Sequence, residues 1–419
     1  MKLIYIHQYF VTNEGTTGTR SYDVSRYLVE MGWQVTVITG LHDQSSFARL
    51  PWWCLWCTQH VDGIKVVVCN AFYSNKLKVI SRLWCFVKFA ILSTLATIKE
   101  RGTDVIFATS TPLTVGIPGR LGAAVKRIPY VFEVRDLWPE DLLDAGRIKP
   151  GFQYKVWEWL ELFSYKKARK ILLVSKGFHD RLIERGFDPS TLETVVLGAD
   201  SSLYATLKPD EEFCRRHGLE GKALAVYTGA HGDANGLDQL IEAAEHLRDR
   251  PNIAIVLIGE GKMKESLRQQ AAARNLTNFH LLDPVPKLQL PSILAACQIG
   301  LMILKQIKRP RWVTPNKIFD YMFAGIPSIV NFAGTTADMV VADGTGVASI
   351  PGNAKDLAET IAYWADHPEE RNRTGRHARE VALAKYDRKM IAKRLGEIFE
   401  QVACGKRAPV RSVQATASS

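Results

Sequence analysis

Two successive runs of short, β-branched apolar segments alternating with amphipathic stretches restrict this chain to parallel sheets covered by helices. The first run places strand candidates at residues 3–6, 34–38, 65–68, 104–108, 130–134 and 171–174. The second starts afresh at 223–228, 254–258, 279–282, 299–303, 328–330 and 346–349, with helical periodicity over 237–248 and 263–274. Residues 198–221, between the runs, are polar and lack strand periodicity, as a connection would. A chain of 419 residues also exceeds the size at which one core usually stops growing. The expected fold is therefore α/β, with two Rossmann-like parallel-sheet domains facing a cleft. The division is a first domain over 1–197, a connection over 198–221 and a second domain over 222–375. Closing helices over 376–402 and a polar, disordered tail over 403–419 follow.

Residues 314–331, TPNKIFDYMFAGIPSIVN, read as a short helix whose positive end suits an anion. Thr314 is the expected N-cap, Pro315 the first helical residue and Gly325 the left-handed stop, with Pro327 preventing continuation into the next strand. Unpaired amides of the first turn, together with Lys317, favour a phosphate, and Asp320 lies one turn further on the same face. A phosphate beside a carboxylate suggests a nucleotide, with Asp320 taking the ribose hydroxyls. An ordinary capped helix would carry the same signals.

Ligands of doubly wound sheets bind at the carboxyl ends of the strands, so the loops there matter most. After the first strand comes NEGTTGTR, where Gly15 and Gly18 permit close backbone approach and Arg20 adds a fixed charge. It is neither GxGxxG nor a P-loop, which leaves ATP hydrolysis without support. Arg20 reads as a ligand for a donor or acceptor phosphate, or as half of a structural salt bridge. In the second run, TGAHGDANGL carries Gly229 and Gly232 before a helix, and Gly259-Glu260-Gly261-Lys262 follows the next strand.

The formal charge of +11 implies an anionic partner, whether membrane surface, nucleic acid or phosphorylated substrate. No aromatic-studded basic motif or recognition helix favours nucleic acid. Seven scattered cysteines argue against a disulfide framework and for a reducing compartment. Cys54 and Cys57 have CxxC spacing, but no second pair follows at zinc-site spacing. The first residues resemble a buried strand rather than a signal peptide, which implies a cytoplasmic start. Residues 76–101 interleave Lys76, Lys78, Arg82 and Lys88 with Trp84, Phe86, Phe89 and Leu92, a pattern expected at a membrane interface rather than across it. The segment LPWWCLWC at 50–57, expected to be a loop, adds three tryptophans; the two segments are either a membrane-facing patch or core.

Together, Ile6-His7-Gln8-Tyr9-Phe10, Gly18-Thr19-Arg20, Val134-Arg135-Asp136-Leu137-Trp138-Pro139-Glu140 and Pro315-Asn316-Lys317 resemble the glycosyl transferases group 1, the large retaining branch of GT-B glycosyltransferases. The likeness is greatest to members that build bacterial surface polysaccharides. It implies a GT-B fold, an acceptor bound mainly by the first domain, a nucleotide sugar bound mainly by the second, and a last helix crossing back. It also implies retention of configuration without a metal or other cofactor.

By motif, the resemblance gives Asp320 the ribose contact, with aspartate replacing the usual glutamate. The second carboxylate of the family's pattern falls at Trp312 and is missing. The lysine that relatives carry in the diphosphate loop is Asn235 here, so positive charge is assigned to Lys317, then to Lys262. Gly18, Arg20, Gly229, Gly232, Pro315 and Asn316 complete the expected donor site. Arg135 replaces a histidine near the reacting sugar, leaving the acceptor base among Asp136, Glu133 and Glu140, with Asp136 first. The implied reaction moves a sugar, an N-acetylated amino sugar among the candidates, from a UDP-sugar to a lipid-linked saccharide for capsule, O-antigen or exopolysaccharide. The enzyme would sit peripherally on an anionic membrane at the inner face. A sugar-nucleotide epimerase shares the architecture and is the alternative, ahead of a non-enzymatic nucleotide-binding protein.

Overall fold

A computed structural model describes residues 1–15, 18–43, 45–74, 77–144, 146–306 and 312–405. Thr16, Thr17, Lys76 and the tail from 406 therefore lie outside the described residues. The first sheet has eight strands: β1 (Lys2–Ile6), β2 (Gln34–His42), β3 (Trp56–Val61), β4 (Ile64–Tyr73), β5 (Val105–Thr109), β6 (Tyr130–Val134), β7 (Lys170–Leu173) and β8 (Leu192–Thr194). Their order is β3-β4-β2-β1-β5-β6-β7-β8, parallel except for β3, which pairs antiparallel with β4. The second sheet holds β9 (Ala223–Thr228), β10 (Ile253–Ile258), β11 (Phe279–Leu282), β12 (Ile299–Met302), β13 (Ser328–Val330) and β14 (Gly346–Ala348), ordered β11-β10-β9-β12-β13-β14 and all parallel.

Central strands such as YVFEV in β6 and IAIVLI in β10 are buried throughout, because helices cover both faces and leave no side for water. Strand order reverses between β1 and β5 in the first sheet and between β9 and β12 in the second, opening a crevice at each switch point. The expected connection over 198–221 is not featureless: it carries a 3-10 turn at Ser201–Tyr204 and a helix at Glu211–Arg216, capped by the Asp210 side chain. The expected tryptophan loop is strand from Trp56 onward, since β4 supplies a hydrogen-bonding edge that periodicity within 50–57 could not reveal.

The helix Arg388–Ala403 returns to the first half, as expected. Its Ile391, Leu395, Ile398 and Phe399 join the cluster of Leu3, Tyr5 and Phe107, with the Phe399 ring 4.9 Å from that of Phe107. Arg388 clamps the crossing, bonding the Asp23 carboxylate, the Thr19 hydroxyl at 3.3 Å and the Gly198 carbonyl at 2.6 Å.

Candidate active site

The switch point of the first sheet opens into a cavity of about 1120 Å³. His7 follows β1, Thr111 follows β5, and Arg135 and Asp136 follow β6, so the carboxyl ends of three adjacent strands bring four polar side chains to one wall. From the second half, Thr314, Pro315 and Asn316 close the cavity, and Gly18 lies against Asn316. A Cβ at Gly18 would stand 3.3 Å from the Asn316 amide nitrogen, which explains the need for a small residue there. The Asn316 Oδ1 is buried and has no hydrogen-bond partner among the described residues.

Asp136 accepts a short hydrogen bond from the Thr111 hydroxyl, and the Arg135 backbone N–H donates to Ser110 Oγ at 3.0 Å. No carboxylate among the described residues pairs with the Arg135 guanidinium. Asp136 is therefore not tied up by its neighbour Arg135.

Glu133 and Arg20 do not line this cavity. Arg20 Nη2 donates to Glu133 Oε1 at 2.5 Å, both side chains being fully buried, while Arg20 Nη1 donates to the Val196 and Leu197 carbonyls. Burial alone would raise the Glu133 pKa, but Arg20, Arg135 and the Thr109 hydroxyl outweigh it and hold the carboxyl below its ordinary value. Arg20 is therefore the structural salt bridge rather than a phosphate ligand, and Glu133 is spent on holding it. Glu140 is likewise engaged, by Arg181 at 3.0 Å.

The helix expected from Thr314 begins at Lys317 and runs to Ala324, with Asn316 rather than Thr314 at its N-terminal boundary and no side-chain cap. Gly325 is the left-handed stop, at φ 72°. Lys317 reaches back over the first strand of its sheet, its Nζ 3.5 Å from the Tyr227 ring centroid and 3.2 Å from where a Gly229 side chain would begin. Burial pushes its pKa well below the lysine range, and no carboxylate among the described residues offsets the charge. Among the described residues this amine has no anionic partner.

Asp320, expected at the ribose, does not line the cavity, and its carboxylate is engaged within the protein. Its Oδ1 accepts from Lys287 Nζ at 2.6 Å and from the Tyr204 hydroxyl at 2.8 Å, in a buried cluster. The Lys287 backbone N–H also donates to the Gly15 carbonyl at 3.2 Å, tying the first glycine loop to the second half. Lys262 is exposed and 3.6 Å from Asp233, so its charge is answered at the surface. Gly232 has an ordinary extended backbone, whereas Gly229, at φ 126°, packs its carbonyl where a Gly259 side chain would stand.

Three residues escaped the sequence reading. Lys287 carried no motif. His7, named only as part of a motif, sits at the end of a first parallel strand, which was the available signal. Its Nδ1 is 2.8 Å from Ser21 Oγ, and burial, then Arg135, lowers its pKa well below the usual histidine value, so it is neutral at physiological pH. His231, between Gly229 and Gly232, is fully buried with both ring nitrogens unpartnered, and burial together with Lys264 brings its pKa to about 4.

Residues 210–381 match the family Glycosyl transferases group 1, and residues 15–198 match the Glycosyl transferase 4-like domain. The second half thus carries a Glycosyl transferases group 1 domain and the first a Glycosyl transferase 4-like domain. It is 23% identical to the probable glycosyltransferase WbjE of Pseudomonas aeruginosa, over 56% of this chain and 59% of that relative. It is also 23% identical to the putative colanic acid biosynthesis glycosyl transferase WcaI of Escherichia coli (strain K12), over 75% and 79% respectively. The chain thus spans about three fifths of the length of the first and most of the second. Among solved structures, Anabaena Alr3699/HepE in complex with UDP and glucose superposes with a TM-score of 0.69 at 18% identity, over 96% of this chain and 100% of that one. The fold is GT-B.

Proposed function

We propose that this chain is a glycosyltransferase that moves a sugar from a UDP-sugar to a saccharide acceptor in the making of a bacterial surface polysaccharide. The observation that carries the reading is the pairing of two switch points. The first sheet presents Asp136, Thr111 and His7 in a cavity that Asn316 closes, and the next residue, Lys317, is an unanswered cation at a helix start. The colanic acid biosynthesis role in the name of the relative WcaI and the UDP bound by the structural neighbour agree with it.

In this reading the donor diphosphate lies at the Lys317 end of the helix, where amides and ammonium meet the charge that develops as the anomeric C–O bond breaks, a route that needs no metal. Asp136, oriented by Thr111, accepts the proton of the acceptor hydroxyl. Attack on the face the diphosphate leaves would retain configuration. A cavity of about 1120 Å³ leaves room for a second substrate, which transfer needs and epimerisation does not. The acceptor saccharide is carried on a lipid, and the enzyme works peripherally at the inner membrane face. Incubation with radiolabelled UDP-sugars and bacterial membranes tests this: label in the lipid fraction is expected. An altered free sugar nucleotide would indicate epimerisation, and neither product would indicate binding alone.

A further inference from the structure

The helices Val79–Lys99 and Phe152–Tyr165 give the cavity a second wall that does not suit a sugar. Leu83, Phe86, Phe152 and Val156 line it, and the Trp138 and Trp157 rings meet edge to face at 5.1 Å. Three of these residues belong to the inside and the outside at once: Leu83 is 45%, Phe152 83% and Val156 45% exposed. The apolar lining therefore continues onto the outer surface without a break. Outside, Ile80, Trp84, Val87, Ile91, Leu95 and Ile98 are exposed at spacings of three and four residues, one stripe along a single helix face. Within the same lining stand Arg82, one turn before Phe86, and Arg147, neither paired with a carboxylate among the described residues. An apolar channel with two unanswered guanidinium groups is the complement of a long-chain lipid bearing a phosphate.

We propose that this wall binds the lipid diphosphate of the acceptor, with Arg82 and Arg147 on the phosphates and the chain leaving the cavity past Leu83, Phe152 and Val156 toward the exposed stripe. The proposal rests on the glycosyltransferase reading above and adds the chemistry of the acceptor's carrier. It places the phosphate on side chains of the first half, apart from the donor diphosphate at Lys317.

Titration of the full chain with farnesyl diphosphate, inorganic pyrophosphate and farnesol, followed by calorimetry and tryptophan fluorescence, tests it. Saturating UDP keeps pyrophosphate from the helix start. Farnesyl diphosphate should bind at least about ten-fold more tightly than either fragment, since head and tail are recognised together. Arg82→Ala/Arg147→Ala should reduce it to the level of farnesol. Phe152→Ser/Val156→Ser, at exposed positions where folding is unaffected, should reduce it to the level of pyrophosphate. Equal affinity for farnesyl diphosphate and pyrophosphate, or indifference to the arginine substitutions, overturns the proposal. UDP binding in the same preparations separates the two readings: loss in the wild-type chain removes the donor site, whereas intact UDP binding without farnesyl diphosphate preference removes only the lipid wall.

Discussion

The Lys317 ammonium stands 3.5 Å from the centroid of the Tyr227 ring, a cation held over an aromatic face by a helix that has just begun. Burial lowers its pKa, so between that lowered value and the ordinary lysine value the unfolded chain binds more protons than the folded one. Stability contributed at this position therefore rises with pH across that window. Lys317→Met should raise the thermal midpoint near neutral pH and flatten its pH dependence. The same substitution should weaken UDP by roughly 10- to 150-fold, the worth of a charge-assisted hydrogen bond. Calorimetry against UDP and thermal melts across pH check both halves; unchanged UDP affinity would take Lys317 out of the donor site.

Asp320 joins three elements through one oxygen, shared by Lys287 and Tyr204. Asp320→Asn should leave the Lys287 charge buried without its counter-charge and destabilise the fold by about 3–5 kcal/mol. The ribose contact expected from the sequence needs a carboxylate free for a ligand, whereas in the structure it is occupied. Adding Lys287→Met to Asp320→Asn should recover most of the loss, since the pair is not additive. Denaturant midpoints of the two single variants and the double variant decide the matter, and a silent Asp320→Asn would refute it.

Glu133 is ionised at a fully buried position because Arg20 and Thr109 hold its oxygens. Its folded pKa lies below the unfolded value, so the stability it adds is complete above the unfolded pKa of about 4.3 and is lost as pH falls through the folded value. Glu133→Gln should cost about 3–5 kcal/mol at neutral pH by stranding the Arg20 charge, with a smaller difference in acid. Urea midpoints at neutral and acid pH measure this. A gap between variant and wild type that did not narrow on acidification would mean the pair contributes nothing through ionisation.

Strands that read as continuous β-branched runs, such as β6 and β10, were legible because burial on both faces forces that composition. The edge strand β3 was not, because WCTQHV owes its conformation to hydrogen bonds with β4 rather than to its own pattern. The site divides the same way. Asp136, Asn316 and Lys317 stood out in the sequence because strand ends and helix starts have local signatures, and the structure places Asp136 and Asn316 on one cavity with Lys317 at the helix start beside it. Arg20 and Glu133 sit in the same motifs yet meet each other, and sequence spacing could not show that two residues 113 apart share a buried bond. Lys287 and the orphaned nitrogens of His231 were invisible for the same reason, since only the packing of separate loops defines them.

Asp136 and Glu133 now differ in a way that kinetics can read. Asp136 lines the cavity with a hydroxyl orienting it, whereas Glu133 lies behind the wall. Asp136→Asn should lower kcat by about 10²- to 10⁴-fold, the usual worth of a general base, while leaving UDP affinity and thermal midpoint near wild type. Thr111→Val should give a smaller loss of kcat through misorientation. Turnover by Asp136→Asn within a few-fold of wild type would remove the base assignment from Asp136 and leave His7 as the other proton acceptor on that wall.

The proposed membrane attachment makes a prediction on the outer face of the helix Val79–Lys99. Trp84 is 64% and Ile91 54% exposed, two turns apart on a helix long and apolar enough to cross a membrane by length and composition, yet packed by its opposite face on the first sheet. Trp52 and Trp53, nearly bare beside β3, extend the apolar area, and Lys78 and Lys88 flank it with charge. A helix bound along an interface should respond to both its apolar area and the lipid's charge. The chain should sediment with phosphatidylglycerol vesicles more strongly than with phosphatidylcholine vesicles. Trp84→Ser/Ile91→Ser should abolish that binding at unchanged thermal midpoint, because neither side chain contributes to the core. Equal sedimentation of variant and wild type would show that the stripe does not face lipid, and would leave the attraction to the basic residues alone.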